Sequence, residues 1–148
     1  AREFLPKIGY RPRIELMNPL IRGLVGEKMS SSIKATKIDL MDTKKVVQKR
    51  INGADCIGGS ADNGILPLLK YLIFGTEKTF LIERPEKYGG NLEYDSYESV
   101  EKDFVENKLH PLDLKNGVSA GLNKLLAKFR EDEEIIASHK AAYPEEYS

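Results

Sequence analysis

This sequence has almost no cysteine, no tryptophan and no long apolar run. Its 148 residues include one cysteine and no tryptophan. The single Cys56 excludes an internal disulfide framework or a zinc site of several cysteines, and we interpret it as a buried or half-buried apolar side chain. So little cysteine favours a reducing, cytoplasmic setting. No apolar run approaches the roughly 18 residues of a membrane-spanning helix, so no membrane partner is expected.

The net charge is zero at pH 7, so the overall basic character typical of nucleic-acid-binding proteins is lacking. The charges are nevertheless uneven. Residues 1–52 hold 12 Lys and Arg against 5 Asp and Glu, whereas residues 53–148 hold 11 against 18. A nucleic-acid contact would therefore need a local patch, and the basic first third is the better electrostatic candidate.

The beginning of the sequence favours an interpretation as a piece of a longer protein. It opens with Ala1 instead of methionine, and residues 1–12 are typical of a helix already under way that ends near Gly9 and Pro12. Charged residues interrupt this stretch, so it does not resemble a signal peptide. The length suits one domain, or one domain joined to part of another.

Hydrophobic periodicity predicts a short strand ahead of a mainly helical remainder. Polar and apolar residues alternate over residues 13–17, which predicts a strand that Pro19 ends. Asp42 is the expected N-cap of a helix over residues 44–51. The charged face of that helix is either solvated or a surface for an RNA backbone, and it carries Lys44, Lys45 and Lys49.

The rest of the chain predicts helices around one small hairpin. Apolar residues recur at helical spacing over residues 63–74 and from residue 111 to past residue 130. Residues 79–82 and 91–94 are typical of two short strands that pair with each other. The acidic residues 131–134 are expected to be a solvated segment. The predicted fold is therefore mainly α, a helical domain with a small β-hairpin, preceded by the edge of an α/β domain.

Residues 26–32 read Gly-Glu-Lys-Met-Ser-Ser-Ser and are the most chemically specific run in the sequence. One lysine followed by hydroxyl residues, entered through glycine, makes a flexible loop rich in donors for phosphate oxygens. Serine-rich loops with a lysine are also common as solvated surface, so the run alone leaves both interpretations open. Glycine and serine dominate residues 23–36, and we expect few apolar anchors there.

Five short motifs occur in an order that is familiar from one family. They are LMNPL at 16–20, KMSSS at 28–32, KIDL at 37–40, RPEKYGG at 84–90 and LHPLDLKN at 109–116. Together they resemble the class I tyrosyl-tRNA synthetases, specifically the archaeal and eukaryotic type. The resemblance extends from about residue 1 to residue 130.

The resemblance implies a division of the chain and an activity. Residues 1–36 would be the end of a Rossmann-type α/β catalytic domain with the KMSSS loop, and residues 37–148 a helical anticodon-binding domain. The full-length enzyme would activate tyrosine with ATP and Mg²⁺ and transfer it to tRNA(Tyr), as a homodimer in the cytoplasm. Its nucleotide-binding fold would lie upstream, so this C-terminal part is not expected to catalyse the reaction alone. The part by itself could be a monomer.

The resemblance also implies which residues of the loop contact ATP. Attack on the α-phosphate builds negative charge on the leaving pyrophosphate, which a mobile cation and hydroxyl donors stabilise. Lys28 is the expected cation, and Ser30 and Ser32 are the expected donors. Ser31 stands where many class I synthetases have a second lysine, and we hypothesise that a metal or monovalent ion replaces that charge. No metal ligands are assigned to the protein itself.

Two further sets of residues follow from the resemblance. Leu16 and Met17 match a strand end that lies along the adenine of ATP, a role compatible with simple burial. Tyr88, His110 and Asp113 match the anticodon pocket. Guanine, the first anticodon base for tyrosine, offers two N–H donors to the Asp113 carboxylate, and Tyr88 would stack on the base. His110 would pack on the other side or fix the loop.

Three alternatives stay open at this point. The chain could come from a catalytically silent, synthetase-like module that only holds tRNA. It could also belong to the sister tryptophanyl enzymes, although the motifs around Tyr88 and His110 look tyrosyl. Without the resemblance, Asp113 would be interpreted as the cap of the helix that begins at Pro111, and Tyr88 as ordinary surface.

Overall fold

The computed structural model describes residues 3–11, 14, 16–26, 29–30 and 32–146. Within these ranges the protein is mainly helical, with one two-stranded antiparallel sheet and several short 3₁₀ turns. The helices are α1 (Lys44–Asn52), α2 (Ile65–Leu68), α3 (Tyr97–Val105), α4 (Pro111–Glu131) and α5 (Glu133–Ala142), and the strands are β1 (Phe80–Ile82) and β2 (Leu92–Tyr94). The predicted mainly α character with a small hairpin is confirmed.

Helix α4 is the longest element, and the other elements pack around it. Its apolar face is buried against α1 and β1, and it includes Leu114, Val118, Leu122 and Leu126. Gly117 lets β1 approach closely, since a Cβ there would lie 2.8 Å from Phe80 Cζ and 2.9 Å from Ile82 Cγ1. The helical spacing in the sequence therefore identified the core-facing side of α4 correctly.

The predicted hairpin is confirmed in its pairing. Phe80 pairs with Tyr94 and Ile82 with Leu92, so both strands turn the same side toward the core. Their connection contains a 3₁₀ turn, Glu86–Tyr88, that ends at Gly89 with φ +95°. This left-handed conformation favours glycine and reverses the chain.

The predicted N-cap of α1 is wrong by one residue. Thr43 Oγ1 accepts a hydrogen bond from the Val46 N–H at 3.4 Å and caps the helix. Asp42 is occupied elsewhere, because its Oδ2 accepts from the Asp39 N–H at 2.7 Å and also contacts Arg50. The carboxylate that looked like a cap therefore joins α1 to the segment that precedes it.

The helix predicted over residues 63–74 is present but irregular. Asn63 Oδ1 accepts from the N–H groups of Ile65 and Leu66 at 2.9 Å each, and so caps α2. After one turn the helix widens into a π-helical turn, Leu69–Ile73. Leu72, which α-helical spacing with Leu68 and Leu69 predicts to be buried, is 40% exposed in this turn, so the apolar pattern is only partly realised.

One further sequence prediction needs correction, and another is confirmed. Described residues 14, 16 and 17 have no strand conformation, since a strand requires a hydrogen-bonded neighbour and the described ranges pair only β1 with β2. The acidic stretch at 131–134 is exposed, as expected for a solvated segment, and it is helical apart from Asp132, which caps α5 by accepting from the N–H groups of Glu134 and Ile135. Acidic residues in a first helical turn are favoured by the helix dipole. Throughout the described ranges, none of the helices has the length and apolarity to cross a bilayer.

Candidate functional site

A cavity of about 660 Å³ lies where the hairpin connection meets the N-terminus of α4. It brings together the three residues that were predicted to form one pocket, Tyr88, His110 and Asp113. The lining residues are Arg84, Tyr88, Asn107, Lys108, Leu109, His110, Pro111, Leu112 and Asp113. Residues more than 20 positions apart in sequence therefore share one site.

Tyr88 presents an open aromatic face to this cavity. It ends the Glu86–Tyr88 turn, and its side chain is 61% exposed. The Lys87 ammonium lies 4.8 Å from the centre of the ring. An exposed ring held by a tight turn can stack on a planar ligand, and a nearby cation also attracts phosphate.

His110 forms the N-cap of α4, a role that the sequence reading gave to Asp113 as an alternative. Its Nδ1 accepts the Leu112 N–H at 3.1 Å, and Pro111 occupies the first helical position. Because Nδ1 is the acceptor, the neutral ring has its proton on Nε2, which remains able to donate. His110 therefore fixes the start of α4 beside the cavity.

This capping role predicts how substitutions at His110 affect stability. His110→Ala should lower the free energy of unfolding by roughly 1 kcal/mol, because the cap is lost. His110→Asn should stay within roughly 0.5 kcal/mol of the parent protein, because asparagine also caps well. Urea unfolding followed by circular dichroism measures both variants. Equal losses for alanine and asparagine would show that the imidazole stabilises the protein through other contacts.

Asp113 lies in the first turn of α4, with its carboxylate directed to the cavity rather than to the helix backbone. Its own N–H donates to the His110 carbonyl at 3.0 Å. Its Oδ2 is 3.6 Å from Arg84 Nη1, and within the described part of the chain no donor hydrogen-bonds to the carboxylate. Both oxygens consequently retain capacity to accept hydrogen bonds from a ligand.

Arg84 is the residue of this site that sequence reasoning missed. Its Nε donates to the Gly90 carbonyl at 2.9 Å, and its backbone N–H donates to Asn91 Oδ1 at 3.0 Å. The arginine opens the RPEKYGG motif, but nothing in the sequence indicates that it faces Asp113, which lies 29 positions further on.

The opposite wall of the cavity is supported by a buried tyrosine. Tyr94 Oη donates to Asp103 Oδ2 at 3.1 Å. Burial, together with the Asp103 carboxylate, raises the pKa of Tyr94 to about 12. The Asp103 carbonyl in turn accepts from the N–H groups of Lys108 and Leu109 at 2.8 and 3.0 Å. This network holds the turn that leads into α4.

The KMSSS loop forms a second candidate site. Lys28 and Ser31 lie outside the described residues. Ser30 and Ser32 hydrogen-bond to each other through their hydroxyl oxygens at 3.0 Å. Thr36 closes the loop, because its Oγ1 accepts from the Ser30 N–H at 3.0 Å and its carbonyl accepts from the Leu24 N–H, also at 3.0 Å.

Among the described residues of 23–36 one apolar side chain is buried, as expected for a stretch with few apolar anchors, and it holds the base of the loop. Leu24 is only 2% exposed and belongs to the helical core, and Thr36 is also buried. The Leu24 carbonyl accepts from the Asp55 N–H at 2.7 Å, and Asp55 Oδ2 accepts from the Gly26 N–H at 2.8 Å. The start of the loop is thus attached to the helical domain, and Thr36 joins the end of the loop to its start.

Leu16 and Met17, predicted to lie along adenine, are exposed and do not line the cavity beside α4. Their side chains are 95% and 84% exposed. Two adjacent apolar side chains open to solvent can cover a flat aromatic ligand. In the described ranges, no group of three His, Cys, Asp or Glu side chains is placed to hold a metal ion.

Comparisons with known proteins identify the family of this chain. A family model described as "tRNA synthetases class I (W and Y)" matches residues 1–127. The cytoplasmic tyrosine–tRNA ligase of Gallus gallus is 48% identical over 148 residues, which cover 97% of this chain and 28% of that protein. The tyrosine–tRNA ligase of Natronomonas pharaonis is 44% identical over 156 residues, which cover 99% of this chain and 44% of that protein.

Solved structures give the same result. A crystal structure of tyrosyl-tRNA synthetase from Archaeoglobus fulgidus, complexed with L-tyrosine, matches with a TM-score of 0.78 and 42% identity. The match covers 85% of this chain and 40% of that one. The chain therefore belongs to the class I tRNA synthetases, in the family of the tryptophan and tyrosine enzymes. Its curated relatives place it with the tyrosyl-tRNA synthetases, and it spans less than half of their length.

Proposed function

We propose that this chain is part of a tyrosyl-tRNA synthetase in which residues 37–148 recognise the anticodon of tRNA(Tyr). The observation that carries the proposal is the single cavity that gathers Tyr88, His110 and Asp113. The parent enzyme activates tyrosine with ATP in the cytoplasm and acts as a homodimer. The names of the relatives and the tyrosine bound in the Archaeoglobus fulgidus enzyme support the choice of amino acid.

The cavity has the chemistry needed to recognise a splayed guanine. Tyr88 offers a stacking face, worth roughly 1–3 kcal/mol per base. The Asp113 carboxylate accepts from the ring N–H and the exocyclic amino group of guanine, whereas adenine presents an acceptor at the ring position. The His110 side chain holds the start of α4, and with it the position of Asp113, through the Leu112 N–H.

Residues 1–36 supply the loop that closes on ATP. The exposed hydroxyl of Ser32 and the partly exposed Ser30 suit phosphate oxygens, and exposed Leu16 and Met17 suit adenine, so the described residues fit ATP. Lys28 supplies the cation, and Ser31 lies between the two hydroxyl donors in sequence. Mg²⁺ bound to the triphosphate would supply charge that this loop lacks.

Substitution of Asp113 tests the proposal. Asp113→Ala in the full-length enzyme should weaken discrimination for guanine at the first anticodon position by on the order of 1–3 kcal/mol, the range for a good bidentate contact. The measurement is kcat/KM for aminoacylation of tRNA(Tyr) with guanine or adenine at that position. Affinity for the RNA backbone should change less, because basic residues elsewhere contact phosphates.

Tyr88→Ala is the matched comparison for this experiment. It should lower kcat/KM for both tRNAs by similar factors, because stacking tolerates any base. If Asp113→Ala also affects both tRNAs equally and lowers the melting temperature, its carboxylate stabilises the helix instead of reading the base. That result would remove anticodon recognition from this cavity.

A further inference from the structure

Arg84 connects the two walls of the cavity. Its side chain is only 12% exposed, and the Asp113 side chain is 22% exposed. One edge of the guanidinium donates from Nε to Gly90 in the hairpin connection, and Nη1 faces Asp113 Oδ2 across the cavity at 3.6 Å. A planar, fixed guanidinium suits such a bridge between a carbonyl and a carboxylate.

Arg84 is the cation that can pair with the Asp113 carboxylate, because the two lysines nearby are engaged elsewhere. Lys108 also lines the cavity, but its ammonium pairs with Glu106. Lys87 lies over the Tyr88 ring. Among the described residues, Arg84 is the only Lys or Arg within ion-pair distance of the Asp113 carboxylate.

We propose that Arg84 is a positioning residue that holds the Asp113 carboxylate and the Tyr88 turn in one geometry, and thereby sets selectivity for the Watson–Crick edge of guanine. The inference rests on the proposed anticodon function of this cavity. In this role Arg84 orients the Asp113 carboxylate and balances its charge, and it need not contact RNA itself.

The physical reason is the loss of water when a base covers the cavity. A carboxylate that loses water without a compensating charge carries a large free-energy penalty, and a neutral base offers only two hydrogen bonds in return. Arg84, itself mostly buried beside Asp113, offsets that penalty. A separation of 3.6 Å leaves lone pairs on both oxygens for the base.

A double-mutant cycle in the full-length enzyme tests this role. Arg84→Gln should reduce the ratio of kcat/KM for guanine-containing over adenine-containing tRNA(Tyr) roughly fivefold to tenfold. In an Asp113→Ala background, the same change should produce no further loss of the ratio. Arg84→Lys keeps the charge but loses the planar bridge, so it should recover part of the selectivity.

Lys78→Gln provides a control of equal charge change, since Lys78 is exposed just before β1 and does not line the cavity. It should leave the ratio unchanged.

If Asp113→Ala lowers the ratio but Arg84→Gln and Arg84→Lys leave it unchanged, the role of Arg84 is overturned while the proposed function stands. If Asp113→Ala itself leaves the ratio unchanged, the proposed function fails first. Should Arg84→Gln not fold, Arg84→Lys alone decides, because full selectivity in that variant contradicts the proposal.

Discussion

Replacing Lys28 with alanine is expected to slow tyrosine activation by the full-length enzyme roughly 10²–10³-fold, the usual loss for one group that stabilises developing charge. In its proposed role, the lysine charge is needed mainly when pyrophosphate leaves. Tyrosine affinity should therefore change little, because the substitution removes an interaction of the transition state and not of the ground state.

Pre-steady-state formation of tyrosyl-adenylate measures the rate, and equilibrium dialysis with labelled tyrosine measures the affinity. Lys44→Ala is a suitable control, since Lys44 is an exposed cation on α1 outside the loop. An unchanged rate constant for Lys28→Ala would remove this lysine from its proposed role. If the parent protein forms no adenylate, the alternative of a catalytically silent module gains support.

Gly64→Ala is expected to destabilise the fold by at least about 3 kcal/mol, beyond the usual cost of overpacking, because the obstruction is backbone. A Cβ on Gly64 would lie 3.0 Å from the Gly23 carbonyl carbon and from Leu24 Cα, and closer still to the Gly23 oxygen. The backbone of Gly64 has φ −81° and ψ −7°, which alanine adopts freely. The whole cost is therefore steric.

Gly53→Ala is the matched control for Gly64→Ala. A Cβ on Gly53 would lie 3.5 Å from the Lys49 oxygen, an ordinary contact, and its φ of −80° also suits alanine. Its unfolding midpoint in urea should stay near that of the parent protein. Equal midpoints for Gly64→Ala and Gly53→Ala would show that the loop base moves away from α2 at little cost.

The parts of the fold that sequence reasoning predicted correctly have local causes. Helix α4 repeats apolar residues every three or four positions, and the hairpin strands are separated by a short connection with two glycines. The Tyr88, His110 and Asp113 pocket was predicted through the family resemblance. The spacing of these residues alone gives no indication of their proximity.

The parts that were missed depend on contacts between distant residues. Arg84 is held by the Gly90 carbonyl and faces Asp113, 29 positions further along the chain. Asp42 has the right residue type for a cap, but Arg50 and the Asp39 N–H engage it first. Such competition for a polar side chain is decided by tertiary structure, so local propensity could not predict it.

Because Leu24 is buried in the helical core, a division of the chain between residues 36 and 37 separates this side chain from the residues it packs against. A chimera of two relatives joined between residues 36 and 37 would take Leu24 from one parent and the remainder of the core from the other. A junction before Gly23 would keep the loop and its supporting core from one parent.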